Sequence, residues 1–311
     1  MWYTDYVGRP MGTACFFLGG EAMIIDSHAH YSHPSFRNCF RYLTRDETGY
    51  TLAEGDLDQL MTHLKDGNIP YSVEPGISLQ SCRDVLELHR NYPDRIFPAI
   101  GVHPTRCISE KWADRGKLEP LAALREVVAI GETGLDYHYE RPQQHRFRQH
   151  LWFLYQLDLA WKLKKPVILH VRDAHEDALR ILRWHPARKL GGVIHCFYGS
   201  KELAQQYLDL GYHIGIGGSV LQIQERAQSL WESLPHIPLE RILVETDAPF
   251  ILPYCKDVIK PKLLRKTRNT SGILPAVVEK IAELKGIPAE EVERATAGNA
   301  IRLFRLPIHE K

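Results

Sequence analysis

The chain has 311 residues, 44% of them hydrophobic and 25% charged, which is the composition of an ordinary globular protein. Its 39 Lys and Arg nearly balance 38 Asp and Glu, giving a net charge of +1, so bulk charge provides no argument for a nucleic-acid, membrane or acidic partner. No apolar stretch approaches the length needed to span a bilayer. The six cysteines form no C-x-x-C pair, which argues against a disulfide framework or a structural zinc site and favours a cytoplasmic protein.

Residues 1–22 are predicted to form a short N-terminal extension to a single domain at 23–308. They contain a short apolar patch, Cys15 to Leu18, without a basic leader. We therefore do not expect a secretion signal. An arm packed against the domain is an equally good interpretation of this segment.

Eight short apolar runs follow, rich in Val and Ile and without polar alternation, as in parallel strands covered on both faces. They lie at 23–27, 70–73, 96–102, 127–131, 167–171, 192–196, 212–217 and 242–246. Helical patterns lie between and after them, at 56–66, 79–91, 117–125, 142–163, 174–185, 200–210, 222–233, 272–285 and 289–303. Two further segments, 34–55 and 248–271, are predicted to be long loops.

Strand and helix alternating eight times predict an α/β fold, specifically a (β/α)₈ TIM barrel. A doubly wound open sheet is the alternative. It would favour a nucleotide-binding function, but neither G-x-G-x-x-G nor G-x-x-x-x-G-K-[ST] follows any predicted strand, which weakens it.

His28 and His30 lie one residue apart, directly after the first predicted strand. Residues i and i+2 of a strand point to the same face, so two imidazoles here can hold one metal ion. The chain has 16 histidines, and a His-x-His pair also arises by chance. The rest of the chain therefore decides how this pair is interpreted.

Four more potential metal ligands lie at the C-terminal ends of later predicted strands: Glu132, His170, His195 and Asp247. In a barrel of this kind, function lies at the C-terminal ends of the strands. Each residue alone has a structural explanation, such as a core histidine or a turn cap, but six at one rim favour a metal site. Six ligands exceed the number that one catalytic ion uses while keeping an open position. They fit two ions that share a carboxylate and clamp a phosphodiester.

Six sequence motifs resemble those of the TatD family, the metal-dependent deoxyribonucleases within the amidohydrolase-like barrels. In the family's order they are DSHAH at 26–30, GVHP at 101–104, GETGLDY at 131–137, LHVRDA at 169–174, HCFYGS at 195–200 and ETDAPF at 245–250. The resemblance runs from about residue 23 to residue 304 and includes the helical tail. It implies a two-metal hydrolase acting on DNA.

The resemblance also implies a role for each residue of the cluster. His28, His30, Glu132 and Asp247 would hold one ion, and Glu132 would bridge to a second ion held by His170 and His195. Glu132 and Asp247 would be catalytic, with Asp247 accepting a proton from the attacking water. Because the predicted ligands include no thiolate, each of the two divalent ions could be Mg²⁺, Mn²⁺ or Zn²⁺.

Four residues are candidates for substrate contacts. His103 and Arg172 would contact phosphate, although a hydrogen bond to a ligand carboxylate is the alternative. Tyr198 would stack on an unpaired base, against the alternative of simple packing. Arg268 ends a basic run at 256–268 that can hold a nucleic-acid backbone, or that is merely a solvated charged loop.

The expected function is a deoxyribonuclease that works as an exonuclease on single-stranded ends, with DNA as partner and RNA or charged tRNA as further candidates. A D-aminoacyl-tRNA deacylase, or another ester or amide hydrolase using the same site, stays open. So does a non-catalytic subunit of a larger complex, although such a subunit would be expected to have lost a ligand. Two departures from the family leave the substrate open: the 34–55 insertion, and Thr270-Ser271 in place of an acid-Pro pair after Arg268-Asn269.

Overall fold

The computed structural model describes residues 23–46, 49–138, 143–253 and 259–308. The predicted N-terminal extension, 1–22, lies outside them. The strands are β1 (Ile25–Asp26), β2 (Phe40–Asp46), β3 (Gly49–Gly55), β4 (Tyr71–Pro75), β5 (Ile96–Ile100), β6 (Ala129–Asp136), β7 (Val167–Arg172), β8 (Gly192–Ile194), β9 (His213–Ile216), β10 (Ile242–Val244) and β11 (Thr267–Arg268). The helices are α1 (Leu57–Asp66), α2 (Leu79–Asn91), α3 (Leu118–Ala122), α4 (Gln143–Leu163), α5 (His175–Trp184), α6 (Lys201–Asp209), α7 (Gln224–Ser233), α8 (Pro261–Leu264), α9 (Leu274–Lys285) and α10 (Ala289–Phe304). Within these ranges, no helix has the length and apolar character that a membrane span requires.

Eight strands form one parallel sheet in the order β1-β4-β5-β6-β7-β8-β9-β10. The last strand returns to the first, because the Ser27 amide donates to the Val244 carbonyl at 2.9 Å and Ala29 forms a parallel bridge with Ala248. Helices connect the consecutive strands of this sheet. The prediction of a (β/α)₈ barrel is therefore confirmed.

Helix α10 closes the N-terminal end of the barrel. Its Ala297, Ala300 and Phe304 share a buried cluster with strand residues such as Ile25 and Leu243. On the same helix, the Asn299 amide group donates to the carbonyls of Leu239 and Ile242, at 2.9 and 2.8 Å. With this end filled, the C-terminal end is left for a site.

The prediction that 34–55 is a loop is wrong. Strands β2 and β3 pair antiparallel from Phe40 opposite Gly55 to Asp46 opposite Gly49. Strand β11 adds to β2 in parallel, so part of the 248–271 segment is not loop either. Polar and apolar residues alternate poorly in β2, where Tyr42, Leu43 and Thr44 are all buried. A strand covered on both faces over its middle lacks the two-residue period that marks a half-buried hairpin.

Candidate metal centre

All six predicted metal ligands lie at the C-terminal end of the barrel. His28 and His30 follow β1, Glu132 and His170 lie within β6 and β7, His195 follows β8, and Asp247 follows β10. Most are deeply buried, with His28 0%, Glu132 3% and His195 5% exposed. The sheet therefore brings together residues that are more than 200 positions apart in the chain.

One half of the cluster is formed by His28, His30 and Asp247. The Nε2 atoms of the two imidazoles are 3.1 Å apart. Asp247 Oδ1 lies 3.4 Å from Nε2 of His30 and 3.8 Å from Nε2 of His28. Glu132 Oε2 faces the same atoms, at 3.6 Å from His28 and 3.7 Å from His30. Two nitrogens and two carboxylate oxygens thus surround one small volume, as divalent cations require.

The other half collects around the second oxygen of Glu132. Its Oε1 lies 3.0 Å from Nδ1 of His170, 3.4 Å from Nε2 of His103 and 3.8 Å from Nε2 of His195. His103 therefore lies against the candidate ligand carboxylate Glu132, as the alternative to a phosphate contact predicted, and it is near enough to be a further ligand. The other nitrogen of His170, Nε2, is 3.1 Å from Asp136 Oδ2.

A bulge in β6 directs Glu132 to the centre of the cluster. The pairing of β6 with β7 shifts register between Ile130 and Thr133, around Glu132 itself. Such bulges re-aim a side chain. Gly134 allows the strands to approach closely, because a Cβ at this position would lie 2.0 Å from the His170 carbonyl oxygen, and its φ is +140°. In the GETG sequence, Gly134 thus serves the backbone geometry, and Glu132 the chemistry of the cluster.

Buried acceptors orient two of the imidazoles. Nδ1 of His30 is 3.1 Å from the Pro75 carbonyl, and Nδ1 of His195 is 2.9 Å from Glu245 Oε1. These contacts leave the Nε2 atoms facing the cluster, which is the arrangement that outer carboxylates and carbonyls impose on metal-ligating histidines. The residues present therefore fit divalent metal ions.

Two buried carboxylates that position the candidate ligands, Glu245 and Glu74, were not predicted from the sequence. Glu245 precedes Asp247 by two residues, and that spacing was a signal that could have marked it. Glu74 is fully buried in β4 and accepts the amides of Tyr31 and Ser32 at 2.8 Å each, which fixes the chain after His30. An acid directly after the predicted apolar run 70–73 was its signal.

The pKa values of the histidines in the cluster are shifted in opposite directions. Burial lowers the pKa of His28 to about 4, helped by the charge of His195, whose ring stacks on it at 3.6 Å. Burial also opposes protonation of His30 and His195. Asp247 nevertheless raises the pKa of His30 to about 9, through a hydrogen bond and through its charge. The charge of Glu245 raises the pKa of His195 to about 10. Without metal, His30 and His195 therefore carry a proton at neutral pH, whereas His28 is neutral.

A cavity of about 640 Å³ opens beside the cluster and contains two of the predicted substrate contacts. Arg172 and Tyr198 line it together with His195, Asp247 and Phe250. Tyr198 is 47% exposed. Among the described residues, Arg172 makes no hydrogen bond to a candidate ligand carboxylate, so its guanidinium is available to an anion.

Arg268, another predicted substrate contact, does not line this cavity. Its guanidinium donates to the carbonyls of Ser35 and Arg265, at 3.5 and 3.2 Å, and lines a separate cavity. Of the predicted basic run, 256–258 lies outside the described residues.

A family model described as TatD related DNase matches residues 25–305. The chain belongs to the TatD family. Relatives include the metal-dependent hydrolase YabD of Bacillus subtilis, 34% identical over 91% of this chain and 100% of that protein. The 3'-5' ssDNA/RNA exonuclease TatD of Edwardsiella piscicida is 37% identical over 81% of this chain and 94% of that protein. This TatD-family protein is accordingly a metal-dependent hydrolase of ester bonds.

Solved structures agree with this assignment. The TatD homologue YJJV from Escherichia coli superposes with a TM-score of 0.77 at 27% identity, covering 92% of this chain and 99% of that one. A TatD-family hydrolase from Entamoeba histolytica, 23% identical, has the same fold with a TM-score of 0.73, over 92% of this chain and 99% of that one.

Proposed function

We propose that this TatD-family hydrolase cleaves phosphodiester bonds in DNA, as an exonuclease on single-stranded ends, using two divalent ions. The observation that carries the proposal is the position of Glu132, whose two carboxylate oxygens face two different groups of imidazoles. A carboxylate shared in this way is the usual bridge of a two-metal site. The name of the Edwardsiella relative supports single-stranded DNA, with RNA as the second choice.

His28, His30 and Asp247 would hold one ion and His170 and His195 the other, with Glu132 between them and His103 within reach of the second. Bound divalent ions would lower the pKa of a water molecule and polarise the phosphodiester. The number of ions, and the choice among Mg²⁺, Mn²⁺ and Zn²⁺, are part of the proposal.

Asp247 is the proposed acceptor of the water proton. Burial would raise the pKa of its carboxyl, but the hydrogen bond to His30 and the charge of His195 lower it, so the group is ionised at neutral pH. It borders the cavity that would receive the substrate. Arg172 would hold a phosphate oxygen there, and Tyr198 would stack on the terminal base.

The test uses end-labelled single-stranded DNA with Glu132→Ala and Glu132→Gln, purified free of host nucleases. We expect both variants to lose at least about 100-fold in turnover, as loss of a preorganised charged group at a reacting centre typically costs. Glu240→Gln is the matched control, since Glu240 is exposed and far from the cluster. Wild-type turnover in the Glu132 variants would overturn the two-ion scheme.

The same assay separates the substrate classes. Single-stranded DNA, duplex DNA, RNA and a D-aminoacyl-tRNA are supplied in turn to the wild-type enzyme. Faster consumption of single-stranded DNA than of the other three substrates supports the proposal. Deacylation of the tRNA, with every oligonucleotide left intact, would replace it by an ester hydrolase that uses the same residues.

A further inference from the structure

A second cavity, of about 400 Å³, is rich in cations. Arg37, Arg41, Arg265, Lys266 and Arg268 line it, and Glu54 is the one carboxylate among its described lining residues. We call this cavity the basic groove. The protein as a whole has a net charge of only +1, so this concentration of positive charge is local.

The three-stranded sheet that was not predicted from the sequence builds the basic groove. Strand β11 pairs with β2, placing Thr267 opposite Arg41 and Arg268 opposite Tyr42. Glu54 neutralises Arg41 by an ion pair across β2 and β3. Arg37, Arg265 and Lys266 are exposed and form no ion pair with any residue that the structure describes. Like charges brought together in this way repel one another unless an anion binds.

A series of contacts links the basic groove to the candidate metal centre. Arg268 donates to the Ser35 carbonyl, and the Ser35 amide donates to Nδ1 of His33 at 3.1 Å. The His33 ring lies 5.4 Å from the ring of Phe250, which in turn lies 6.3 Å from that of His30. Phe250 also lines the cavity beside the metal centre. Phe250, His33 and Ser35 thus lie between that cavity and the groove.

We propose that the basic groove binds backbone phosphates of the single strand whose end is held at the metal centre, several nucleotides from the bond that is cut. This inference rests on the proposed function. A polyanion matches the groove better than a single phosphate would, because several cations without an ion pair among the described residues line the same cavity. Non-specific single-strand sites combine such a cationic track with aromatic side chains, and Phe250 and Tyr198 provide these here.

The test neutralises two exposed cations in the variant Arg37→Gln/Lys266→Gln. The matched control is Lys189→Gln/Arg305→Gln, which removes two exposed cations from another basic cavity, lined by Arg188, Gly211 and Arg302 and remote from the metal centre. Each protein is assayed for kcat/KM on a dinucleotide and on a strand of about ten nucleotides. The assay is repeated over a range of salt concentrations, and thermal melting verifies that both variants fold.

We expect the ratio of kcat/KM for the long strand over the dinucleotide to fall about tenfold in the groove variant. The slope of log KM against log salt for the long strand should fall by about 1.4, as for two lost contacts to single-stranded phosphates. The control should match the wild type. Equal ratios and slopes in the groove variant, the control and the wild type would overturn the inference.

Failure of the proposed function gives a different result. If the wild-type protein cuts neither substrate, the exonuclease proposal fails, and fluorescence anisotropy of the labelled strand then tests the groove alone. Weaker binding by the groove variant than by the control supports a nucleic-acid groove. Equal binding overturns it.

Discussion

At the scale of single residues, His195 stands between two carboxylates with different tasks. Its Nε2 faces Glu132 and its Nδ1 faces Glu245, which is 1% exposed. Gly215 makes room for Glu245, since a Cβ there would lie 2.5 Å from Glu245 Oε2. Glu245 therefore sets the orientation of His195 and increases its basicity.

Replacing Glu245 by Gln should weaken metal binding by about 10- to 100-fold, the usual effect of removing the outer partner of a ligating histidine. Calorimetric titration of chelator-treated protein with Mn²⁺ measures it, and Glu240→Gln, at an exposed position, is the control. Identical affinities in the two variants would show that Glu245 has no positioning role.

Metal affinity should rise with pH across the neutral range. The raised pKa values of His30, to about 9, and of His195, to about 10, mean that both imidazoles carry a proton at pH 7 without metal. An incoming cation must displace these protons. Binding therefore becomes tighter as pH rises towards 9, and the gain ends once both groups are deprotonated.

Calorimetry at pH 7 in two buffers with different ionisation enthalpies counts the released protons directly. We expect release of about two protons, one each from His30 and His195, since His28, with a pKa of about 4, is already neutral. No net release, together with an affinity that is flat from neutral pH to about 9, would contradict this description of the cluster.

At the scale of elements, the barrel strands could be predicted because burial on both faces leaves continuous apolar runs, as in β5 and β10. The β2–β3 hairpin could not, because its buried middle removes the alternation by which hairpins are recognised. The candidate ligands could be predicted because each lies at the end of a predicted apolar run or directly after it. Glu74, by contrast, acts on residues more than 40 positions away, and such contacts exist only once the sheet has formed.

The hairpin should behave as an integral part of the fold. Leu43 is fully buried, and Thr270 donates to its carbonyl at 2.9 Å, whereas Leu52 opposite it is only half-buried. Leu43→Ala should cost about 2–5 kcal/mol of unfolding free energy, as for other buried leucines. Leu52→Ala should cost clearly less. Urea denaturation measures both, and equal small losses would show that the hairpin lies loosely on the barrel.

At the scale of the whole molecule, the two ends of the barrel have separate tasks. Helix α10 fills one end with apolar side chains, while the other end collects the imidazoles and carboxylates. This division follows from the parallel strands, all of which present their C-terminal ends at the same rim. The family motifs predicted that rim. The β2–β3 hairpin and β11 add the basic groove, and bulk composition gave no sign of it.

The central claim is that one carboxylate, Glu132, joins two metal positions. The most direct measurement is anomalous diffraction at the manganese edge from crystals of the wild-type protein soaked in Mn²⁺. We predict two peaks about 3.5–4 Å apart, one beside His28 and His30 and one beside His170 and His195, with Glu132 between them. A single peak, or two peaks that do not share Glu132, would contradict the account.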